Sequence, residues 1–396
     1  MINDLSERVN AIKPSPTLAV TTLANQLRAT GRDVIGLGAG EPDFDTPQHI
    51  KLAAIDAINS GKTKYTAVDG TAELKQAIID KFERDNGFQY QADQILVSSG
   101  GKQSFYNLCQ AFINKGDEVI IPAPYWVSYP DMVILAEGVP VVIEASIKDQ
   151  FKITASMLKQ AITDKTRMVV LNSPSNPTGV AYSLAELKAL AEVLIEYPDI
   201  LVVTDDMYEH IIWNEEGFCN ILNANADLYD RCMVLNGVSK AYSMTGWRIG
   251  YAAGPAHIIK AMKKIQSQST SNACSISQAA SVAALNGDQS CIQTMLTAFK
   301  ERHDFVLKTL NNIPHIECMP SDGTFYSFPS IQSFIDNCDE VTNDVEAANL
   351  LLDKVGVAVV PGSAFGAPGY MRLSFATSME NLEKSLERIA QVFAEI

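Results

Sequence analysis

Residues 94–121 read QILVSSGGKQSFYNLCQAFINKGDEVII and contain the pattern that decides the fold. Residues 94–98 and 118–121 are short apolar runs, which are typical of buried strands. Between them, residues 102–114 carry apolar side chains at the spacing of a helix that buries one face. The stretch therefore predicts a strand, a helix and a second strand, with a glycine turn between the first strand and the helix.

The same alternation continues along the chain. Further apolar strands are predicted at 139–143, 167–171, 200–204 and 232–235. Near-continuous apolar strands that alternate with helices predict an α/β domain, whose mostly parallel sheet is flanked by helices. Ligands bind such sheets outside the carboxyl ends of the strands. The residues that follow each strand are therefore the first candidates for a functional site.

The pattern changes beyond residue 288. A long helix is expected at 289–310, followed by short strands at 315–318, 325–328, 357–360 and 371–375 and by helices at 343–354 and 379–395. This order predicts a second, smaller α+β domain. Because residues 17–30 are helix-like and no linker interrupts the chain elsewhere, we expect the first residues to join it. The predicted domains are a large one of residues 47–288 and a small one of residues 1–46 and 289–396, which includes an N-terminal arm.

Composition excludes several classes of protein. With 47% hydrophobic and 19% charged residues, the chain is globular, and its net charge of −15 argues against a nucleic-acid or anionic-membrane partner. The five histidines and seven cysteines never fall in a metal-ligand spacing, so no metal site is expected. The cysteines are scattered and odd in number, which favours reduced thiols and a cytoplasmic protein. Neither a signal peptide nor a membrane-spanning run is predicted.

Residues 239–251, SKAYSMTGWRIGY, combine a lysine with groups that bind anions. A lysine that forms a Schiff base needs surroundings in which it can lose its proton. Ser239 and Arg248 are suited to binding a phosphate near Lys240. The alternative is a surface lysine with an ion-pairing arginine, and this segment alone does not decide between the two.

Two other strand ends carry candidate residues. Gly101 and Lys102 stand at the start of the predicted helix, where backbone N–H groups attract anions. Asp205 and Asp206 follow a buried strand, and because side chains alternate, one of them is expected to face the site. A buried aspartate there needs a cationic partner, such as a protonated pyridine nitrogen. A plain glycine turn and an N-cap aspartate are the structural alternatives.

Three further residues extend this set. Tyr208 lies three residues after Asp205. It could reach a phenolic oxygen on the pyridine ring whose nitrogen would pair with the aspartate. Asn176 lies in the stiff loop NSPSNPTG at 172–179, which otherwise is an ordinary turn. Arg372 lies inside an apolar strand, and arginine is seldom buried without a carboxylate or phosphate partner. A structural salt bridge is the alternative for Arg372.

The order of these motifs resembles the class I aminotransferases, which are pyridoxal-phosphate enzymes of the aspartate aminotransferase family. The matching motifs are Asn-Pro-Thr-Gly at 176–179, Asp-x-x-Tyr at 205–208, Ser-Lys at 239–240 with Arg248, the late Arg372, and the segments 39–45, 64–65, 100–102 and 124–126. They span nearly the whole chain and resemble most closely the bacterial branch. The resemblance implies an aminotransferase-type fold and an enzyme of amino-acid metabolism.

The resemblance also implies a cofactor, pyridoxal 5'-phosphate, and a role for each residue. Lys240 would hold the cofactor covalently and then act as the general base. Asp205 would pair with the pyridine nitrogen. The remaining cofactor-binding residues would be Gly101, Lys102, Trp126, Asn176, Tyr208, Ser239, Arg248 and, from the other subunit of a homodimer with shared active sites, Tyr65. The substrate would contact Gly40, Lys102, Trp126, Asn176 and Arg372, which would grip its α-carboxylate.

The expected reaction is a ping-pong transamination between L-aspartate, or glutamate, and 2-oxoglutarate. Lys102 would face the side-chain carboxylate, and Ser15 and Thr17 resemble the segment that closes over the substrate. A side activity on prephenate or aromatic substrates stays open. One departure from the family is Gly237, where some relatives have serine. A phosphate-binding hydroxyl would then be missing, so we expect modestly weaker cofactor binding.

Three other functions are alternatives. The same fold hosts carbon–sulfur lyases, which would share the cofactor and differ in the reaction. A ligand-sensing regulator would carry an additional DNA-binding domain, for which the chain lacks length and basic residues. A dinucleotide oxidoreductase is suggested only by GLGAG at 36–40, which lacks the final glycine and the later acidic residue of that motif.

Overall fold

A computed structural model describes residues 5–395. The helices are α1 (Glu7–Ala11), α2 (Pro16–Ala29), α3 (Gln48–Asn59), α4 (Ala72–Asn86), α5 (Gly101–Phe112), α6 (Tyr129–Leu135), α7 (Ala155–Ala161), α8 (Leu184–Ile195), α9 (Ile221–Ala224), α10 (Ala256–Ser267), α11 (Ser275–Asn286), α12 (Ser290–Leu310), α13 (Gln332–Asn337), α14 (Asp344–Val355) and α15 (Met379–Phe393). The strands are β1 (Ile35–Gly36), β2 (Ile95–Ser98), β3 (Glu118–Ala123), β4 (Val139–Glu144), β5 (Thr166–Asn172), β6 (Leu201–Asp205), β7 (Cys232–Gly237), β8 (Gly250–Ala253), β9 (Tyr326–Ser327), β10 (Val357–Ala358), β11 (Val360–Pro361) and β12 (Met371–Ser374).

The central sheet has the strand order β2-β8-β7-β6-β5-β3-β4. The pairs among β7, β6, β5, β3 and β4 are parallel, and β8 runs antiparallel to both of its neighbours. Apolar side chains alternate between its faces: Val202 packs in one core cluster and Val203 in another. The predicted mostly parallel sheet with helices on both faces is confirmed.

The sheet brings three strand ends together. Asn172 at the end of β5 is in register with Asp205 at the end of β6. The backbone N–H of Asp206 donates to the carbonyl of Leu235 in β7, at 2.9 Å. The loops that follow these three strands therefore start side by side, and they carry Asn176, Tyr208 and Lys240.

Beyond residue 289 the chain forms a smaller assembly. Strands β11, β12 and β9 make an antiparallel sheet, and β1 pairs in parallel with β10. Its core is built from α12, α14 and α15 and includes Ile35 and Leu37 from the start of the chain. The predicted smaller α+β unit is confirmed, whereas the boundaries at residues 47 and 288 remain a proposal.

Two expected strands differ from the structure. Residues 315–318 do not form a strand, because His315 adopts a left-handed φ of 64° that interrupts an extended run. Only Glu317 bridges to Ser330. The run 357–360 is divided, since β10 pairs with β1 and β11 pairs with β12. Within residues 5–395, no helix is both long enough and apolar enough to span a membrane.

Candidate active site

A cavity of about 440 Å³ opens at the carboxyl ends of β5, β6 and β7. Tyr326 and Arg372 of the small antiparallel sheet and residues of α2 complete its walls. The sequence-predicted residues that line it are Ser15, Thr17, Gly40, Gly101, Lys102, Trp126, Asn176, Asp205, Tyr208, Ser239, Lys240, Arg248 and Arg372. Tyr65 does not line this cavity and is 93% exposed.

Lys240 lies in the loop after β7, with its ammonium group in the cavity wall. Its Nζ donates a hydrogen bond to the carbonyl of Gly40. Burial, followed by the nearby charge of Arg372, lowers the pKa of Lys240 to about 8. Because a neutral amine is the nucleophile and the base, this lysine is suited to both kinds of chemistry near neutral pH.

Asp205, and not Asp206, faces the cavity. The hydroxyl of Tyr129 donates to its Oδ2 at 2.5 Å, and the backbone N–H of Met207 donates to its Oδ1 at 3.3 Å. Burial raises the pKa of Asp205, with the hydrogen bond from Tyr129 acting in the opposite direction. Within residues 5–395, Asp205 forms no ion pair. A partly buried, unpaired carboxylate in this position is ready to bind a cationic ligand group.

Asp206 points to the other side of the sheet end. It is buried, and its Oδ2 accepts a hydrogen bond from Asn220 Nδ2 at 2.6 Å. Burial, and then the charge of Glu209, raises its pKa well above the usual range. The two aspartates therefore point to opposite sides, as expected. Asp206 binds a side chain of the protein itself and has a structural role.

One end of the cavity is built for an anion. Helix α5 begins at Gly101, and no side chain caps its N-terminus. Ser239 and Arg248 line the same cavity, and Arg248 is held by a hydrogen bond from Nη1 to the carbonyl of Thr245 at 2.9 Å. Gly100 has a φ of +91°, and a Cβ there would lie 2.2 Å from Arg248 Nη2. A helix N-terminus, a hydroxyl and a guanidinium together suit a phosphate group.

Arg372 is 2% exposed and projects from β12. Its Nη1 donates to Asn176 Oδ1 and its Nη2 to the carbonyl of Gly38, each at 2.8 Å. The guanidinium lies over the rings of Tyr326 and Phe365, at 4.3 and 5.0 Å. Its buried Nε has no hydrogen-bond partner among the described residues. The structural salt bridge considered for this arginine is not formed within residues 5–395, which leaves its charge for a ligand.

The cavity is cationic on an acidic protein. Its charged lining residues are Lys102, Lys240, Arg248 and Arg372 against Glu41 and Asp205, whereas the whole chain carries a net charge of −15. Lys102 Nζ lies 5.1 Å from the centroid of the Trp126 ring. Burial, and then the charge of Arg248, lowers the pKa of Lys102. The local excess of positive charge selects ligands with more than one anionic group.

Tyr129, Asn172, Met207 and Tyr326 are among the residues of the site that sequence reasoning missed. Asn172 ties the end of β6 to the loop after β5, because its Nδ2 donates to the carbonyl of Asp205 and its Oδ1 accepts from the N–H of Asn176, each at 2.8 Å. Its place directly after a strand was a usable signal. The Tyr326 hydroxyl lies 2.8 Å from that of Tyr208, but its strand has only two residues and gives no periodic pattern.

The surroundings of Gly237 give a packing reason for glycine at this position, where some relatives have serine. A Cβ at this position would lie 3.0 Å from the carbonyl of Ile249 and 3.2 Å from Met207 Cε. A serine would therefore be crowded by the backbone of β8 and by the methionine side chain. In this chain glycine matches the close approach of β7 and β8.

Comparison with known proteins assigns the chain to a family. The family of class I and II aminotransferases matches residues 32–389. The chain belongs to this family. The aspartate/prephenate aminotransferase of Nitrosomonas europaea is 61% identical over 395 residues, which cover 98% of this chain and 100% of the relative. The enzyme of the same name from Cereibacter sphaeroides is 52% identical over 389 residues, 97% of each chain.

Solved structures confirm the predicted aminotransferase fold. An aspartate aminotransferase from Rhizobium meliloti matches with a TM-score of 0.95 and 47% identity, covering 99% of both chains. The aspartate aminotransferase from Thermus thermophilus with maleate matches with a TM-score of 0.93 and 42% identity, covering 99% of this aminotransferase and 100% of that chain.

Proposed function

We propose that this aminotransferase uses pyridoxal 5'-phosphate to exchange amino groups between L-aspartate, or glutamate, and 2-oxoglutarate. One observation carries the proposal: a lysine with a lowered pKa lies in a cavity that also contains a phosphate-type anion site and the buried Arg372. Aspartate specificity is supported by the named relatives and by the second cation, Lys102. The proposal makes the cavity a site for three anionic groups, one on the cofactor and two on the substrate.

The residues present fit this cofactor. Arg248, Ser239 and the first N–H groups of α5 would hold its phosphate, and Asp205 would keep its ring nitrogen protonated. Trp126 would cover the ring face, while Tyr208 and Asn176 would contact its phenolate oxygen. When bound, the cofactor supplies an electron sink for the α-carbon of the substrate. The fit rests on an aspartate without a cation and on a glycine-lined anion site.

Lys240 would move the proton in this reaction. Its Nζ is neutral in a useful fraction of molecules near pH 7, because its pKa is about 8. As a base, the amine would take the proton from the substrate α-carbon, and as an ammonium it would return a proton on the cofactor side. The carbonyl of Gly40, to which Nζ donates, would orient the group between these two positions.

Arg372 and Lys102 would bind the two carboxylates of the substrate. The two Nη atoms of Arg372 are held by Asn176 and Gly38, and the buried Nε has no partner among the described residues, so a carboxylate can accept from the guanidinium. Aspartate, glutamate and 2-oxoglutarate all carry two carboxylates. One site can therefore serve both halves of a ping-pong reaction.

Prephenate is a second candidate substrate. The relatives from Nitrosomonas europaea and Cereibacter sphaeroides are named aspartate/prephenate aminotransferases. Prephenate also carries two carboxylates, and its ring needs an apolar neighbour such as Trp126, which lies beside Lys102. An amino-acid panel that includes aromatic and prephenate-derived substrates distinguishes a broad enzyme from one restricted to acidic amino acids.

A homodimer with shared active sites is part of the same proposal. Tyr65 is 93% exposed and outside the cavity of its own subunit, as a residue that reaches the cofactor phosphate of the partner would be. The seven free cysteines support a cytoplasmic location, because scattered thiols persist in a reducing compartment.

Single-turnover rates with a panel of amino acids test the proposed substrate. We expect aspartate and glutamate to react faster than alanine or phenylalanine. Lys102→Ala should lower kcat/KM for aspartate by roughly 10- to 100-fold, the value of a hydrogen bond between charged groups, with little change for alanine. Lys260→Ala, on the exposed face of α10, is the control. If acidic amino acids react no faster than aliphatic ones, the role of Lys102 is wrong.

Product analysis separates the aminotransferase from a carbon–sulfur lyase. With aspartate and 2-oxoglutarate, we expect oxaloacetate and glutamate in equal amounts. With cysteine as the only substrate, a lyase would release pyruvate and ammonia continuously. Sustained release of these two products without transamination would overturn the proposed reaction while leaving the cofactor assignment in place.

A further inference from the structure

A buried ion pair lies next to the strand ends that carry the reactive groups. Glu209 is 5% exposed and follows Tyr208 directly, and it pairs with Lys81 of α4, which is fully buried. The Glu209 carboxylate also accepts hydrogen bonds from Asn86 Nδ2 at 2.9 Å and from Asn236 Nδ2 at 2.8 Å. Glu209, Lys81, Asn86 and Asn236 all lie outside the cavity lining.

The contacts of Glu209 join the two strand ends. Its backbone N–H donates to the carbonyl of Asp206 at 3.0 Å, which closes the turn after β6. Its partner Asn236 lies in β7 and accepts from the N–H of Gly237 at 2.7 Å. Glu209 is four residues from Asp205, and Asn236 is four residues from Lys240. The hydrogen bond between Glu209 and Asn236 therefore spans the gap between the loops of Asp205 and Lys240.

Burying two charges is costly unless both are fully compensated, and an apolar pair often packs equally well. Here the compensation is complete for Glu209, with one cation and two amides on its carboxylate. Burial raises the pKa of Glu209, but the charges of Lys81 and His210, together with the hydrogen bonds from Lys81 and Asn86, outweigh that effect and lower the pKa overall. The carboxylate is thus held charged and in one orientation where two active-site loops meet.

Metal binding does not explain this cluster. Asp85, Glu209 and His210 offer ligand atoms that lie close together. However, Lys81 already forms an ion pair with Glu209, and Arg84 pairs with both oxygens of Asp85 at 2.7 and 3.0 Å. His210 Nε2 lies 3.1 Å from Asp85 Oδ2. The carboxylates are balanced by protein cations.

We propose that Glu209 is a positioning residue for the reaction and that Lys81 is its buried counter-ion. The inference rests on the function proposed above, because it concerns the placement of Asp205 and Lys240 in that reaction. Displacements of about 1 Å in reacting groups can lower rates by about 100-fold. A bridge between their two loops is therefore a determinant of rate as well as of stability.

Two double variants separate positioning from stability. Lys81→Met with Glu209→Gln removes both charges but keeps an amide that can bond to Asn236. Lys81→Met with Glu209→Leu removes the charges and the bridge. Both avoid an unpaired buried charge, but the leucine variant also leaves the buried amides of Asn86 and Asn236 without their acceptor, so its melting temperature should be the lower of the two. Lys152→Met, which breaks the ion pair with Glu186 on the distant α8, controls for the loss of any partly buried pair.

The measurements are kcat and KM for aspartate in the holoenzyme, and the pH dependence of Lys240 acylation in the cofactor-free full chain, read by peptide mass spectrometry. The glutamine variant should keep kcat within about threefold and an acylation midpoint near pH 8. The leucine variant should lose at least about tenfold in kcat with KM little changed. Its acylation midpoint should rise towards that of an ordinary lysine, because the loosened loop exposes Lys240.

Equal kcat values and equal acylation midpoints in the two double variants would overturn the proposal. If the leucine variant does not fold, Asn236→Ala removes the same bridge and leaves the ion pair intact. It should show the same loss of kcat, and wild-type kcat in Asn236→Ala would refute the bridge. A wild-type protein without transamination would refute the proposed function instead, while the acylation midpoints would still test the positioning role.

Discussion

Arg372 is buried and Lys240 and Asp205 are partly buried, and the protein leaves the charges of all three unpaired among the described residues. Within residues 5–395 none of the three forms an ion pair. Each is held by neutral groups instead: a carbonyl for Lys240, a tyrosine hydroxyl for Asp205, and an amide with a carbonyl for Arg372. Hydrogen bonds of this kind fix the orientation of a charge and leave its field for a ligand.

The lowered pKa of Lys240 leads to a prediction at this scale. Burial disfavours the ammonium form, so the neutral amine accumulates as the pH rises through about 8. Acylation of Lys240 in the cofactor-free protein should therefore be slow at pH 7, where about a tenth of the amine is neutral, and nearly maximal at pH 9. A midpoint above pH 10 would show that the lysine is not perturbed by its surroundings.

The same shift has a defined sign for stability. In the unfolded chain the lysine keeps its proton up to its ordinary pKa, whereas the folded protein releases it near pH 8. Between these two values the unfolded state binds more protons, so this residue makes the free energy of unfolding rise with pH. Below pH 8 its contribution is constant and unfavourable.

At the scale of elements, the position of α5 depends on a backbone contact with β8. A Cβ on Gly250 would lie 2.2 Å from the nitrogen of Gly101 and 2.4 Å from the carbonyl carbon of Gly100. The main chain cannot yield as a flexible side chain would. Glycine at position 250 therefore lets the N-terminus of α5 reach the place where it can bind an anion.

Gly250→Ala should displace that helix start. We expect cofactor affinity to fall at least about tenfold and the free energy of unfolding to fall by roughly 2 kcal/mol, as for other overpacked sites. Gly246→Ala is the matched control, because a Cβ there meets no atom within 4 Å. Cofactor titration and chemical denaturation measure the two effects. Wild-type affinity in Gly250→Ala would contradict the role given to this contact.

Much of the fold was predictable from elements with clear periodicity. The strands β2 to β7 of the central sheet and the helices α5, α12, α14 and α15 lie close to their predicted positions, because long apolar patterns are local signals. The strand at 315–318 was wrong, since the φ of His315 is not visible in composition. Two-residue strands such as β9 are formed by tertiary pairing and leave no periodic pattern.

The part of the site that lies near strand ends was predictable from the sequence, and the part that depends on long-range contacts was not. Residues at a strand end or in the loop that follows it, such as Asp205 and Asn176, follow from the rule that ligands bind at the carboxyl ends of parallel strands. Arg372 was found because a charge interrupts an apolar strand. Tyr129 could not be found in this way, because its hydrogen bond to Asp205 joins residues 76 positions apart. Contacts across such separations depend on packing that the chain pattern does not encode.

At the scale of the whole molecule, two features bear on activity: the charge distribution and the exposed Tyr65. The protein is acidic overall, while its cavity is cationic. An anionic substrate is therefore attracted locally, so activity should depend on ionic strength. Tyr65 is exposed to solvent in a single subunit. In a dimer it would complete the active site of the partner.

Hybrid dimers test whether the sites are shared. Tyr65→Ala and Lys240→Ala should each be strongly impaired alone. After the two variants are mixed and refolded, a hybrid dimer would contain one site with both residues intact. With random pairing, about a quarter of wild-type activity should return. No recovery, with hybrid dimers detected by mass, would show that each subunit acts alone.

The half-reaction of Lys240→Ala tests the central claim most directly. Each variant is loaded with cofactor and mixed with aspartate in the absence of a 2-oxo acid, and the oxaloacetate formed is measured. The wild type should release about one equivalent per subunit, because the first half of a ping-pong reaction stops there. Lys240→Ala, with native circular dichroism, should release none on the same timescale. Oxaloacetate formation by this variant at a rate close to that of the wild type would contradict the assignment of Lys240 as the reactive base.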